Sequence, residues 1–393
     1  MLICASLSGG ISNIGNLLKS QDLTLTAQAL SAMGAGIKEI KPGLVEVHGF
    51  NGRPIPHTPP IFLGNSGTSM RLLAGIAALG TSMYTLTGDE RMCQRPMTEL
   101  LDALKMIQVD AHAKTPGGTP PVHIQGLARI GGHTTIDCSK SSQYLSALLM
   151  IGPFMKKGLT ISLPGPPVSV PYIDLTIDVM NQFKVTAVKI NDCKYQVPGG
   201  QKYDPGAYVV EPDLSNAGYF WAAGAVTKAL IGVDNIPKNS LQGDKKQIHI
   251  LEKMGCSLDI RDTRLGVRGN TLTAVDVDMS DTPDAVPAIA VVAAFARGTT
   301  RIRNIGHLRI KECDRIEAIA SQLTKMGIHV AQGDDWIEVT GGTPKGAFIE
   351  TFNDHRIAMA FSVAGLVVQG MEIENPGCVE KSFPGYWSVF DRL

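Results

Sequence analysis

Apolar and polar positions along the chain fall into a pattern that repeats. A polar or glycine-bearing turn precedes a helix of small apolar residues; an amphipathic helix and then alternating segments follow. The unit recurs roughly every 70 residues, longer than a solenoid repeat but found by the same search for self-similarity. Five of the apolar helices are complete: TSMRLLAGIAAL (68–79), QYLSALLMIG (143–152), NAGYFWAAGAV (216–226), AVPAIAVVAAFA (285–296) and RIAMAFSVAGLV (356–367). Being apolar nearly all round, they are expected to be buried.

The amphipathic partners are AQALSAMG, LLDALKMI, IDVMNQF, HILEKMG and ASQLTKMG, each followed by a strand-like run, and YWSVFDRL closes the chain as a shortened sixth. Gly34, Gly255 and Gly327 stand where a helix stop needs a left-handed residue. Residues 44–48, 84–87 and 336–340 alternate as strands do. Six units divide naturally as three plus three, with a boundary near Glu211-Pro212. This predicts an α/β protein of two similar domains, 1–211 and 212–393, with sheets and outer helices wrapped around the buried ones. The apolar helix at Met1 has no polar turn ahead of it, so the first unit reads as N-terminally truncated.

The turns ahead of the buried helices are rich in small polar residues: 65–68, 141–143, 213–215, 281–284 and 354–356. Ser, Asp and Asn there serve as N-caps, the favoured reading for Asp213 and Ser215. Helix N-termini also bind phosphate and carboxylate groups. Arg356, in a first turn whose dipole disfavours a cation, calls for an anion beside it. A second charged stretch, LRIKECDRI (308–316), holds five charges in nine residues. If helical, it places Lys311 and Arg315 on one face with Glu312 beside Arg315. Two cations around a carboxylate suit an anionic substrate that must exchange a proton.

Lys+Arg and Asp+Glu balance at 36 each, so no global field recruits nucleic acid or an anionic membrane, and anion affinity has to be local. The seven cysteines are scattered and never in CxxC spacing, which predicts reduced thiols in a cytoplasmic compartment and argues against structural zinc or a disulfide framework. No run approaches a membrane span, and MLICASLSGG lacks the basic start of a signal peptide.

Eight stretches in colinear order resemble the EPSP synthase family, the 3-phosphoshikimate 1-carboxyvinyltransferases of the shikimate pathway to chorismate and the aromatic amino acids. They are LGNSGTSMR (63–71), GDERMCQRPM (88–97), SSQYLSALLM (141–150), VSVPYID (168–174), TPDAVP (282–287), LRIKECDRI (308–316), NDHRIAMAF (353–361) and CVEKSFPGY (378–386). The resemblance implies two domains of three βαβαββ-like units around buried parallel helices, with the active site in the cleft between them. It also implies enolpyruvyl transfer from phosphoenolpyruvate to the 5-hydroxyl of shikimate 3-phosphate by a monomer, with no cofactor and no metal. The only partners expected are these two small molecules. Ser141, Ser142, Gln143, Ser169 and Tyr172 would line the shikimate 3-phosphate site, along with Asp284 and Lys311. Gly67, Arg95, Gln143, Arg315, Arg356 and Lys381 would hold phosphoenolpyruvate, the family being the target of glyphosate. Asn65, Thr68 and Arg71 would shape the turn around Gly67. Asp284 would take the hydroxyl proton beside Lys311, Glu312 would exchange a proton with the methylene carbon, and His355 would assist.

The chain departs from the family pattern in three places. His307 replaces a common Asn, Leu72 replaces a Pro found in some members, and the family's N-terminal Lys-Ser-Arg stretch has no match. That absence raises two alternatives, a start set at an internal Met and a catalytically impaired remnant. The sister transferase acting on UDP-N-acetylglucosamine is a third, prompted by Cys93 near Arg95-Pro96, but the SSQ, KECDR and DHRIAMAF matches argue against it.

Overall fold

Burial alternates along the helices of the structure, a computed structural model that describes residues 1–393. The helices are α1 (Leu2–Leu7), α2 (Gln21–Ala32), α3 (Gly67–Ala77), α4 (Thr98–Met106), α5 (Gln143–Ile151) and α6 (Val170–Gln182), followed by α7 (Leu214–Thr227), α8 (Gln247–Lys253), α9 (Val286–Ala293), α10 (Arg315–Lys325), α11 (His355–Gly365) and α12 (Tyr386–Phe390). The odd-numbered ones are those read as apolar from the sequence. α1 and α9 are buried along their whole length, and α3, α5, α7 and α11 nearly so. The even-numbered helices keep a polar face in water. No helix is long and apolar enough to cross a membrane.

Four sheets share one plan: a strand parallel to a central strand, whose other edge takes an antiparallel hairpin. Ile61–Phe62 pairs with Tyr84–Thr87, which continues to Val122–Gly126 and Val109–Ala113. Gly132–Thr135 and Asp276–Asp278 begin the same arrangement around Leu159–Ser162 and Thr299–Arg303. In each of these the order along the chain is βαβαββ, because a parallel pair needs a crossover and the buried helix supplies it. The fourth takes its parallel strand, Ala207–Val209, from the far end of the same unit, beside Ile11–Gly15. Ile231–Val233 has the hairpin alone, and Phe348–Ile349 has only its parallel partner, Glu372–Ile373. The strands read from alternation at 44–48, 84–87 and 336–340 are observed with those limits.

By its contacts the chain divides into two compact units, Met1–Val210 and Glu211–Leu393. Each has its own apolar core, and in the second α7, α9 and α11 pack on one another.

The stretch 308–316 is not one helix. Gly306–Ile310 is a 3-10 turn, Lys311 is extended, and α10 starts only at Arg315. Two bonds to Asp314 set that start: its carboxylate caps the helix by accepting the Glu317 N–H at 3.1 Å and also receives Arg309 Nη1 at 2.7 Å. Arg309 further donates to the carbonyls of Asp334 and Gly333, tying the loop down ahead of the helix. Lys311 and Arg315 therefore do not share a helical face.

Three outer helices end alike, at Met33-Gly34, Met254-Gly255 and Met326-Gly327, with glycine φ of 107°, 102° and 79°. In each, the amide two residues past the cap reaches back into the last turn, as Ile328 N does to Leu323 O at 3.0 Å. α6 makes the same turn with Lys184 at φ 63°, and α4 also stops at a left-handed residue, Gln108 at φ 63°. A Cβ on Gly327 would meet only Lys345 Cδ, 3.9 Å away, whereas one on Gly255 would lie 2.7 Å from the Thr271 carbonyl. Gly327→Ala should thus lose only the backbone preference, about 1 kcal/mol, and Gly255→Ala should lose measurably more. Urea-unfolding midpoints of the two variants check the order.

Candidate active site

In the first unit the polar residues ahead of α3 and α5 are joined by a short network. Ser66 caps α3 and leaves Gly67 as its first residue. Arg95 Nη1 donates to the Asn65 carbonyl at 3.2 Å and to Asn65 Oδ1 at 3.1 Å. Arg71 Nη1 donates to Gln143 Oε1 at 2.8 Å, and Gln143 Nε2 donates to Thr68 Oγ1 at 2.8 Å. Both arginines are 4% exposed, and Arg71 lies over the Tyr144 ring. A Cβ at Gly67 would stand 2.5 Å from Arg95 Nη2 and 2.9 Å from Arg71 Nη1, so only glycine lets the two guanidiniums close on this helix start.

Ser141 and Ser142 are buried next to Gln143, whose amide reaches Ser141 Oγ at 3.3 Å. Ser169, in the left-handed conformation at φ 55°, begins α6, with Tyr172 in its first turn. Ser146, one turn into α5, and Thr176, nearly two turns into α6, share a 2.8 Å hydrogen bond that ties the two helices together near their starts.

The second unit gathers charge instead. Lys381, Glu312, Arg315, Asp284 and Arg356 form one alternating row, with successive contacts of 3.1, 2.8, 2.9 and 2.8 Å. Asp284 comes from the turn leading into α9, Glu312 from the segment before α10, Arg356 from the first turn of α11, and Lys381 from the 3-10 turn Pro376–Lys381. Arg315, 1% exposed, also donates from Nε to Asp354 Oδ2 at 2.7 Å. The anion that Arg356 called for is thus the Asp284 carboxylate, and its backbone N–H goes to the cap residue Asp354. Tyr219 Oη, on α7, lies 3.4 Å from Arg356 Nη1.

Burial alone would push the Asp284 and Asp354 carboxyls up. For Asp284 the charges of Arg356, Arg315 and Lys311 outweigh burial, and for Asp354 that of Arg315 does, so both sit below the usual carboxylate range. Burial lowers Arg315 in turn, but Asp354, Glu312 and Asp284 more than reverse this and keep it charged. His355 is pressed down to about 3 by burial, with Lys381 adding to it, and His307 to about 4 by burial and Lys311. Both imidazoles are neutral at ordinary pH. His355 Nδ1 and His307 Nε2 are buried without a hydrogen-bond partner. Burial raises the Cys313 thiol, as does Asp354, whose Oδ2 accepts its S–H at 3.5 Å. Cys93 only reaches the Gly88 carbonyl, at 3.7 Å.

A family model described as EPSP synthase (3-phosphoshikimate 1-carboxyvinyltransferase) matches residues 1–390. The chain belongs to the EPSP synthase family. Among its relatives, the 3-phosphoshikimate 1-carboxyvinyltransferase of Shewanella amazonensis is 40% identical over 396 residues, covering 100% of this chain and 92% of the relative. That of Tolumonas auensis is 42% identical over 396 residues, with 99% and 92% covered. The EPSP synthase structure from Acinetobacter baumannii superposes with a TM-score of 0.81 at 28% identity, covering 100% of this chain and 92% of that one. The enolpyruvyl transferase NikO from Streptomyces tendae has a TM-score of 0.78 at 17% identity, with 100% and 91% covered, a likeness of fold. The two-domain α/β enolpyruvyl transferase fold expected from the sequence is the one these structures share.

Within this EPSP synthase family chain, the sequence-predicted Gly67, Arg95 and Gln143 lie together: Gly67 sits against the guanidiniums of Arg95 and Arg71, and Arg71 donates to Gln143. Asp284, Glu312, Arg315, Arg356 and Lys381 lie in one row. Asp354 and Tyr219 were missed as members of the charged set. Asp354 reads in sequence as an ordinary N-cap, and Tyr219 as one aromatic among many on an apolar helix. The one available signal was Arg356, which already demanded a nearby anion.

The buried histidines set a pH dependence. The unfolded chain binds protons at both near pH 6.5, while the folded chain refuses them until about 4 and about 3. Stability is therefore fully present above pH 6.5 and falls as the pH drops below it, by about 2 kcal/mol per histidine between pH 6.5 and 5. The depressed carboxylates add a further loss only below their unfolded value of 3.8. Denaturant unfolding at pH 7.5 and pH 5 should show this loss in the parent, and His307→Asn and His355→Asn should each remove about half of it.

Proposed function

We propose that the chain transfers the enolpyruvyl group of phosphoenolpyruvate to the 5-hydroxyl of shikimate 3-phosphate, giving 5-enolpyruvylshikimate 3-phosphate and inorganic phosphate. The observation that carries this reading is the row Lys381–Glu312–Arg315–Asp284–Arg356, in which each of two carboxylates is flanked by two cations. The reaction needs a base for a hydroxyl, an acid for a methylene carbon and cations for two polyanions, and the row contains all three.

In this reading the two end cations, Lys381 and Arg356, take the anionic groups of phosphoenolpyruvate, with Arg315 between them. Each cation drawn to the substrate weakens its hold on a carboxylate, and the carboxylate becomes more basic. Asp284, otherwise too strongly held to be a good base, then accepts the 5-hydroxyl proton beside Lys311. The alkoxide oxygen bonds to C2 of phosphoenolpyruvate while Glu312, protonated once Lys381 has turned to the substrate, delivers that proton to C3, forming a tetrahedral intermediate. Expulsion of phosphate from C2, which takes up the proton held by Asp284, and return of a methyl proton to Glu312 regenerate the enol ether and both carboxyl groups. His355, neutral, serves as a hydrogen-bonding neighbour of this set.

The first unit contributes Gly67, Arg95 and Gln143 to phosphoenolpyruvate. Ser141, Ser142, Gln143, Ser169 and Tyr172 go to shikimate 3-phosphate, whose phosphate is met by the start of α5. The reading includes a monomer working in the cytoplasm on these two small molecules alone.

Two variants test it. Lys381→Ala removes a charge-assisted contact of roughly 1.5–3 kcal/mol, so KM for phosphoenolpyruvate should rise tenfold or more (about 1.4 kcal/mol per factor of ten), and KM for shikimate 3-phosphate should barely move. Equal rises in both would undo the assignment. Glu312→Gln should bind both substrates yet lose deuterium incorporation from D2O into the methylene group, and normal incorporation would remove Glu312 from the mechanism.

A further inference from the structure

One carboxylate stands behind the row without belonging to it. Asp354 is fully buried, at 0% exposure, and both of its oxygens are engaged. Oδ2 accepts Arg315 Nε at 2.7 Å and the Cys313 thiol at 3.5 Å, while Oδ1 accepts the backbone N–H of Arg356 at 2.9 Å and Arg315 Nη2 at 3.3 Å. His355 Nδ1 lies 3.6 Å from Oδ1. An N-cap needs only the backbone bond and usually sits at the surface. Here the same side chain grips the guanidinium at the middle of the row and the main chain of the cation at its end.

We propose that Asp354 is a positioning residue for the transfer, holding Arg315 by its guanidinium and Arg356 by its main chain. The inference rests on the function proposed above. A substrate can draw Arg356 or Lys381 toward itself, but Arg315 must stay where it orients Asp284 through Nη1 and Glu312 through Nη2. Those two bonds alone would let the guanidinium follow whichever carboxylate moved. The Nε bond to Asp354 removes that freedom, because Nε lies on the guanidinium edge beside the side-chain stem and fixes the plane of the group. Asp354 also balances a charge that would otherwise lie buried with only the two reacting carboxylates to neutralise it, groups that must each gain and lose a proton.

The test is Asp354→Asn, which keeps the size and the cap oxygen but removes the charge and can turn an amide N–H toward Arg315 Nε. With the variant folded, as judged by circular dichroism and thermal unfolding, kcat should fall about 100-fold, the scale on which small misplacements of reacting groups act. KM for shikimate 3-phosphate should stay within about threefold. In parallel, the Nε–H resonance of Arg315, protected from solvent exchange in the parent, should lose that protection in the variant. A folded variant with kcat within threefold of the parent, or with the Arg315 signal unchanged, overturns the proposal. If the parent itself transfers no enolpyruvyl group, the function proposed above fails, and the resonance still decides whether Asp354 holds Arg315. If the variant does not fold, the parent is titrated with shikimate 3-phosphate and phosphoenolpyruvate: continued protection of Arg315 Nε–H supports the proposal, and loss of protection on binding overturns it.

Discussion

A guanidinium at 1% exposure stays charged inside a protein only if carboxylates meet its donors, and Arg315 meets that demand with three of them. Taking such a charge out of water costs several kcal/mol, and stripping a buried ion of its partner costs about 3–5 kcal/mol. The arrangement of the second unit follows from this constraint. Asp284 stands before α9, Glu312 before α10 and Asp354 at the start of α11, so one side chain draws the leading ends of three helices to a common point. The surrounding core of α7, α9 and α11 supplies the dry setting in which these charges interact strongly.

The two units assemble their cations by different chemistry. In the first, Arg71 donates to the amide oxygen of Gln143 and Arg95 to the oxygens of Asn65, neutral acceptors that orient each guanidinium. In the second, cations and carboxylates alternate, so that orientation comes together with neutralisation. The first arrangement suits holding an anion. The second suits exchanging protons, since each carboxylate's basicity depends on where its neighbouring cations are engaged.

Much of this was legible in the sequence because the repeated element announces itself twice, by an apolar helix and by a stop. Runs such as 285–296 are too apolar to face water, and α9 is buried throughout. The glycines after Met33, Met254 and Met326 mark helix ends to the residue. The stretch 308–316 was less readable, because its charge spacing fits a helix while the Asp314 cap and the Arg309 clamp, both made by distant or local hydrogen bonds, forbid one. Asp354 was hidden for a related reason: a cap and a buried counter-ion are the same residue type at the same position, and only the third dimension tells them apart. The carboxylate partner of Arg356 lies 72 residues away in sequence, beyond the reach of any local pattern.

The shared helix stops also decide where this chain can change length. In all three glycine-terminated units a single residue separates the glycine from the first residue of the next strand, at Gly36, Ser257 and His329. A residue added or removed there would slide the strand by one position and turn its inward side chains out. An insertion within a hairpin turn leaves the register of its two strands unchanged. The loop between Val109–Ala113 and Val122–Gly126 is closed by Thr115 and Thr119 bonding to each other at its surface, with strand pairing resuming on either side. Length variation among relatives, and any inserted tag or reporter, therefore belongs in such turns and not at the helix-to-strand joints.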